Sequence, residues 1–360
     1  MPTVEEILTR HQEGEEMPLD DAAALLQVTE PQDLDALRRA ADALRESLCG
    51  HTVTYIANRN LNFTNICEGD CKFCCYHVKP GEAGGFFLSP DEVVERIGKA
   101  GEISEVCIQG GLHPDVGLEY YVELCKKVKA AFPALHIHGF SPMEIHRGAK
   151  RAGITLEGAL ESLRDAGLGS VPGTAAETLD DDWRATYCGN KLKTGEWIEV
   201  IITAHEVGLR TTSTILYGFN QSAEQAAVHL GILRDIQKRT GGITELVALP
   251  IVPDMVASRK ALTLYAVARL FFGEWIKNIQ TSWPKLGDEI AIESLDWGVN
   301  DIGGTLGEEN ISRLAGAPFG EFRTVEQLED MIRLAGKTPA RRNTLYGIVQ
   351  PACESGQNRA

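Results

Sequence analysis

The sharpest chemical signal in the chain is the run Cys67-Glu68-Gly69-Asp70-Cys71-Lys72-Phe73-Cys74, which places three thiols within eight residues. Thiolates this close must come from one loop, and such loops wrap iron–sulfur centres. Three ligands for a four-iron cube leave one iron without a protein ligand, open to a substrate or cofactor. Plainer readings stand beside this one. A zinc site usually takes four ligands, often from two paired motifs, and no second Cys-x-x-Cys pair follows here. Cys75 could supply a fourth thiol, although adjacent residues rarely both reach one tetrahedral ion. The cysteines could also be unliganded core residues. The rest, Cys49, Cys107, Cys125, Cys188 and Cys353, are scattered, and as small buried hydrophobes they need no function.

A loop of this kind needs a scaffold. From Thr52 onward, short β-rich runs alternate with longer amphipathic stretches. The expected strands are Leu61–Asn65, Glu105–Gln109, Leu135–Phe140, Gly169–Val171, Thr211–Leu216, Glu245–Leu249, Ile279–Trp283 and Trp297–Asp301. Between them lie helix starts: Ser89-Pro90-Asp91-Glu92, Ser222-Ala223-Glu224-Gln225 and Thr324-Val325-Glu326-Gln327 all carry the capping-box pattern. Met143–Ala152, Leu156–Ala166 and Thr194–Val207 show the 3.6-residue apolar period. About eight strand–helix units predict an α/β fold of the (β/α)8 TIM type. The cysteine loop then follows the first strand and opens on the C-terminal face, where barrel active sites lie. Residues 1–50 read instead as a helical extension (Val4–Gln12, Leu19–Leu26, Pro31–Leu48), with residues 51–360 as the barrel and its C-terminal helices.

Composition narrows the class. With 43% hydrophobic and 24% charged residues, the 360-residue chain matches ordinary globular proteins. A net charge of −16 argues against general nucleic-acid or anionic-membrane binding. The most apolar region, Ala261 to Ile276, is broken by Arg269, Gly273 and Glu274 and reads as a buried helix. The N-terminus lacks the apolar core of a signal peptide, so a cytoplasmic location is expected. Nine cysteines should then be reduced, and an odd count suits thiols or metal ligands better than a disulfide framework.

The Cys-x3-Cys-x2-Cys spacing, with Phe73 just before the last cysteine and a first barrel strand before the loop, resembles the radical S-adenosylmethionine (SAM) superfamily. The resemblance implies a radical SAM barrel whose 4Fe-4S cluster is held by Cys67, Cys71 and Cys74. It further implies that SAM chelates the fourth iron and yields a 5′-deoxyadenosyl radical after one-electron reduction. Asn62–Cys67, Gln109–Asp115, Phe140–Glu144, Pro172–Glu177, Thr211–Thr214 and Asn300–Thr305 are similar to one branch of that superfamily. The branch comprises the deazaflavin-synthase subunits and two radical enzymes of the futalosine route to menaquinone. Pro172-Gly173-Thr174-Ala175-Ala176-Glu177 resembles the deazaflavin-synthase subunit that uses tyrosine. The similarity runs from about Asn58 to Tyr346. It implies L-tyrosine and 5-amino-6-(D-ribitylamino)uracil as substrates, Cα–Cβ cleavage, and transfer of a 4-hydroxybenzyl group. A second radical SAM deazaflavin-synthase subunit and a low-potential electron donor are implied as partners. The chain departs from the family's pattern at Phe219, where histidine is usual after Tyr-Gly, and at Cys75-Tyr76, where Ala-Phe is common.

Individual residues carry two readings each. Gly110 and Gly111 form either an ordinary turn or a close approach to the methionine part of SAM. Ser141 and Glu144 fit either a capping box or hydrogen bonds to the SAM ribose or amino group. Thr174 and Glu177 follow the fourth strand; Glu177 suits a substrate ammonium or a proton transfer, or else caps the next helix. Asn300 and Asp301 suit a polyhydroxyl or pyrimidine, because such groups need answering partners. His136 and His138 share a strand face and line the cavity or the core. Tyr217 and Phe219 stack on a ring or pack the rim. The competing classes are a futalosine-pathway enzyme, a non-enzymatic iron–sulfur carrier, which would want four thiolates, and a zinc-stabilised binding module.

Overall fold

The computed structural model describes residues 2–12, 15–251, 255–308 and 310–351. Its strands in chain order are β1 (Thr52–Ile56), β2 (Asn58–Asn62), β3 (Glu105–Gln109), β4 (His136–Gly139), β5 (Ser170–Val171), β6 (Arg210–Tyr217), β7 (Ile243–Pro250), β8 (Ile279–Gln280), β9 (Asp301–Gly304), β10 (Thr338–Arg342) and β11 (Ile348–Pro351). Strands β2 to β9 pair in sequence order, and every pair is parallel. β9 then pairs with β1, and a single residue, Ala57, separates β1 from β2. The first strand is therefore one bent ribbon with β9 on one edge and β3 on the other. Thr305 N donates to Ile56 O at 3.1 Å, and Asn60 N donates to Leu306 O at 2.7 Å, which carries the contact past the bend. The sheet thus curls into a barrel of the (β/α)8 type, with helices between its strands.

Local chemistry explains why the helices start where they do. Ser89, Ser141, Ser222 and Thr324 each accept from the backbone three residues on, and the Glu or Gln at that position bonds back. Each box satisfies two of the amides that a helix start leaves unpaired. The apolar segment ending near Ile276 is the helix Met255–Phe272, and its residues Ala261–Phe272 are almost wholly buried, Arg269 included. That guanidinium is answered by Gly298 O at 2.7 Å, Lys277 O at 2.7 Å and Asn300 Oδ1 at 2.8 Å. The helices Val4–Gln12, Leu19–Leu26 and Pro31–Cys49 precede the barrel; the second and third pack on its outer helices, and the first packs on the third. Leu19 approaches Gly231 so closely that a Cβ there would lie 2.8 Å from its Cδ2.

Three expectations are corrected. The first strand spans Thr52–Asn62 and not Leu61–Asn65, because Asn58, Asn60 and Asn62 line the cavity and hide the apolar alternation. The last barrel strand is Asp301–Gly304 and not Trp297–Asp301, since Gly298 (φ 95°) is still turning there. Beyond the C-terminal helices Asn310–Leu314 and Val325–Leu334, the chain forms β10, parallel to β1, and β11, antiparallel to β10. Among the described residues no helix is long and apolar enough to cross a membrane.

Candidate active site

The loop after β2 is held by backbone pairing on both sides. Cys67 N donates to Val78 O (2.9 Å), and Glu68 N donates to Leu112 O (3.1 Å). The Cys67 sulfur accepts the amides of Gly69 and Leu112, each at 3.2 Å. Cys71 and Cys74 sit on a turn in which Cys74 N donates to Cys71 O at 3.1 Å. Burial pushes the Cys71 thiol up to about 12 and raises Cys74 as well. A desolvated thiol of this sort gives up its proton when a bound cation supplies the compensating charge. Cys75 is exposed, and Cys353 lies outside the described residues.

The end of β3 closes against this loop. A Cβ on Gly111 would lie 2.3 Å from Ile66 O and 2.9 Å from Cys67 Cβ; one on Gly110 would lie 2.3 Å from the Phe63 ring. Only glycine permits that approach. Gly110 N donates to Glu144 Oε1 at 3.1 Å, while Glu144 Oε2 accepts from Ser141 N at 2.7 Å and Ser141 Oγ at 2.6 Å. Ser141 and Glu144 therefore form a capping box that also anchors the glycine turn. Burial pushes Glu144 up to about 7 even though all three hydrogen bonds favour its ionised form.

The segment Pro172–Glu177 forms the opposite wall. Gly173 N donates to Thr212 Oγ1 and Gly173 O accepts from Thr214 Oγ1, both at 3.0 Å. Thr174 Oγ1 donates to Gln109 Oε1 at 2.9 Å. Ala175 (φ 58°) and Glu177 (φ 52°) adopt left-handed backbone, strain that the surrounding contacts must hold. The Glu177 carboxylate pairs with Lys191. Burial alone would lower the Lys191 ammonium, but Glu177 and Cys71 outweigh it and hold the group well above its ordinary value. Phe73, Trp183, Tyr187 and Phe219 share one apolar cluster with Cys71 and Cys188. The Phe219 ring lies edge-on to Phe73 at 5.6 Å and to Tyr187 at 5.2 Å, so this position packs the cluster loop.

These walls enclose a cavity of about 460 Å³ that reaches from Cys67, Cys71 and Cys74 down to the starts of the strands. Gly110, Gly111, Ser141, Glu144, Thr174, Glu177 and His138 all line it. Asp301 does not. Its carboxylate is fully buried, accepting from Thr54 Oγ1 at 2.5 Å, Gly303 N at 2.8 Å and Arg342 Nη2 at 3.1 Å. Asn300 is likewise occupied, its Oδ1 accepting from Ile279 N at 2.9 Å and from Arg269. His136 and His138 both meet Ser170 Oγ, at 2.8 and 2.7 Å. Sequence reading missed Lys191, Glu245, Gln280 and Arg342, which also line the cavity. No local pattern marks them; each reaches the site only through the closure of the barrel.

The donor set suits a polynuclear cluster. Among the described residues no three His, Cys, Asp or Glu side chains converge on one metal ion, as a tetrahedral zinc site would need. A cube instead takes one thiolate on each of three irons, and three sulfurs spread along one loop, facing a roomy cavity, provide that.

Comparison with known proteins places these features in context. Residues 61–231 match the model of the radical SAM superfamily, and residues 240–354 match that of the CofH/MqnC C-terminal region. Proteins named 5-amino-6-(D-ribitylamino)uracil–L-tyrosine 4-hydroxyphenyl transferase are close in sequence. One from Methanococcus maripaludis is 44% identical over 93% of this chain and 98% of its own length. One from Methanothermobacter thermautotrophicus is 46% identical, covering 92% and 94%, and one from Archaeoglobus fulgidus is 47% identical, covering 86% and 93%. In structure, methylornithine synthase superposes with a TM-score of 0.71 at 19% identity, covering 93% of this chain and 97% of its own. The FeFe-hydrogenase maturase HydG from Carboxydothermus hydrogenoformans gives 0.76 at 16% identity, covering 95% and 80%. At these identities the structural likeness concerns the fold.

Proposed function

The chain belongs to the radical SAM superfamily and, within it, to the family of the 5-amino-6-(D-ribitylamino)uracil–L-tyrosine 4-hydroxyphenyl transferases; from that premise we propose how its own residues carry out this reaction. The enzyme cleaves L-tyrosine between Cα and Cβ and joins the 4-hydroxybenzyl group to 5-amino-6-(D-ribitylamino)uracil, in the biosynthesis of a deazaflavin coenzyme. The names carried by the relatives favour this over the futalosine-pathway alternative.

Cys67, Cys71 and Cys74 would hold the 4Fe-4S cluster, and the glycine turn at Gly110 and Gly111 lets the end of β3 pack directly against the cysteine loop, beside the cavity that would take SAM. When bound, these two groups would supply the one-electron radical chemistry that activates tyrosine. The protein does the rest. Glu144 fixes the glycine turn, Thr174 and Gln109 tie the two walls together, and the Phe73–Phe219 aromatic packing keeps water from the sulfurs. Glu177 and Lys191 present one negative and one positive group side by side at the cavity wall, a complement to an amino-acid zwitterion. A low-potential donor must deliver the electron, and a second radical enzyme consumes the product to close the deazaflavin ring.

The observation that carries this reading is the placement of three clustered thiols at the mouth of one cavity, in a chain 44–47% identical to the named transferases. The test is anaerobic reconstitution with iron and sulfide, then incubation with SAM, a reductant, tyrosine and the ribityl-uracil. A hydroxybenzylated pyrimidine and 5′-deoxyadenosine are expected. Absence of 5′-deoxyadenosine from reconstituted protein rejects the radical reading. Its formation only with futalosine-type substrates transfers the assignment to the other branch.

A further inference from the structure

The two ends of the cavity differ in chemistry. Its mouth is sulfur, glycine and aromatic rings. Its closed end is lined by Glu105, His138, Glu245, Gln280, Arg342 and Thr344, contributed by β3, β4, β7, β8 and β10 and by the residues just after β10. Glu245 is 6% exposed and Arg342 2%. Asn58 Nδ2 donates to Glu105 Oε1 at 2.9 Å, Arg342 Nη2 donates to Gln280 Oε1 at 3.1 Å, and Tyr346 donates its hydroxyl proton to Glu245. Most of these groups answer one another, but the Thr344 hydroxyl is buried without a hydrogen-bond partner, a cost that a ligand hydroxyl would remove. None of the steps described above uses them.

We propose that this closed end is the subsite for the ribityl chain of the pyrimidine substrate, that it recognises an uncharged polyol, and that it rejects the phosphorylated form of the same molecule. The inference rests on the function proposed above and specifies how the second substrate lies. The carbon that accepts the hydroxybenzyl group must sit near the radical, hence near the cysteine loop. The part of the molecule farthest from that carbon then points away from the cysteine loop, toward the other end of the cavity.

The chemistry of the closed end fits that tail. Each ribityl hydroxyl both donates and accepts, and the closed end offers carboxylates, a guanidinium, an amide and a hydroxyl. A phenol, the other candidate occupant, has one hydroxyl and would leave most of these groups unanswered. Charge excludes a phosphate. The Arg342 guanidinium is already bound to Asp301, and burial lowers His138 to about 4, so that ring is neutral. Burial would push Glu105 up, but the Arg342 charge and the hydrogen bond from Asn58 act against it, and the carboxylate stays below its ordinary value. A phosphate dianion would meet negative charge with no spare cation beside it. Glu245, Gln280, Arg342 and Thr344 all fall in the segment that matches the CofH/MqnC C-terminal region, whereas the cysteine loop falls in the radical SAM match.

The test uses the full, cluster-loaded chain under anaerobic conditions. Calorimetric titration compares three probes: the ribityl-uracil, its 5′-phosphate, and 5,6-diaminouracil, which lacks the chain. Wild-type protein should bind the ribityl-uracil about 100-fold more tightly than either of the others. Thr344→Val and Gln280→Ala should each weaken ribityl-uracil binding about tenfold while leaving diaminouracil binding and the KM for tyrosine unchanged. If Gln280→Ala does not fold, Thr344→Val decides alone, since it exchanges a hydroxyl for a methyl of the same size. Equal affinity for all three probes, or variants that alter tyrosine KM instead, overturn the assignment. Product formation by the wild type is measured on the same preparation. If it is absent, the proposed function fails; if it is present with unaltered binding in Thr344→Val, only the subsite fails.

Discussion

The backbone amide of Gly110 donates a 3.1 Å hydrogen bond to the Glu144 carboxylate, which also caps the helix Pro142–Ala152. One buried side chain thus couples the turn after β3 to the helix after β4. Burial raises Glu144 from 4.5 to about 7, so the folded protein holds a proton that the unfolded chain has released. Its contribution is complete below pH 4.5 and is lost as pH rises through 7. Between pH 4.5 and 8, wild type should lose on the order of 2–3 kcal/mol of unfolding free energy relative to Glu144→Gln. Denaturant titrations at both pH values measure this; parallel pH slopes for the two proteins would refute it.

Gly111→Ala tests the close approach of the glycine turn to the cysteine loop. The new Cβ would sit 2.3 Å from Ile66 O, and a backbone atom cannot yield as a flexible side chain does. The Cys67 segment must move. Iron content and the visible absorbance of reconstituted protein should fall sharply, with far-ultraviolet circular dichroism unchanged. Gly69→Ala, whose Cβ would meet only the Cys67 sulfur at 3.1 Å, should lose less.

Alanine substitution separates ligands from bystanders. Cys67→Ala, Cys71→Ala and Cys74→Ala should each lose the cluster and all 5′-deoxyadenosine formation while the barrel stays folded. Cys75→Ala and Cys188→Ala should keep both, because Cys75 is exposed and Cys188 is buried in the aromatic packing. Loss of iron in Cys75→Ala would point to a four-thiolate centre. Iron analysis and turnover by the same preparations decide between them.

How much of this was legible beforehand follows the range of the interactions. The cysteine spacing, the four capping boxes and the three N-terminal helices are local in sequence, and the structure places them where the residues indicated. β2 was not legible because Asn58, Asn60 and Asn62 put amides on the cavity face and break the hydrophobic alternation. Asp301 looked available because the sequence could not show that Arg342, 41 residues later, would claim its carboxylate. Nothing in a linear reading links Glu105 to Thr344; barrel closure brings them together.

The Lys191–Glu177 pair should prove mutually dependent. Their side chains are 18% and 15% exposed, so removing one partner leaves a mostly buried charge. Lys191→Met and Glu177→Gln should each cost about 1–3 kcal/mol of stability, and the double variant less than their sum. If the pair also meets an amino-acid zwitterion, each single variant raises KM for tyrosine or SAM more than it lowers kcat. Additive stability losses would show that the pair is not coupled.

Asp301 and Arg342 form a deeper pair, 0% and 3% exposed, tying β9 to β10 beneath the cavity. Asp301→Asn keeps the shape and removes the charge, leaving Arg342 beside the partly protonated Glu245, which burial holds near 7. Breaking a buried pair from one side costs about 3–5 kcal/mol, whereas replacing both partners by apolar groups of similar size is often nearly neutral. Asp301→Asn should therefore melt well below wild type, and Asp301→Leu combined with Arg342→Met should recover much of the loss. The decisive readout is chemical. Because Asp301 does not line the cavity, folded Asp301→Asn should keep its kcat for 5′-deoxyadenosine formation, with any change confined to ribityl-uracil KM through a displaced Arg342. A kcat loss of a hundredfold or more in folded protein would instead place Asp301 among the groups that handle the reacting atoms.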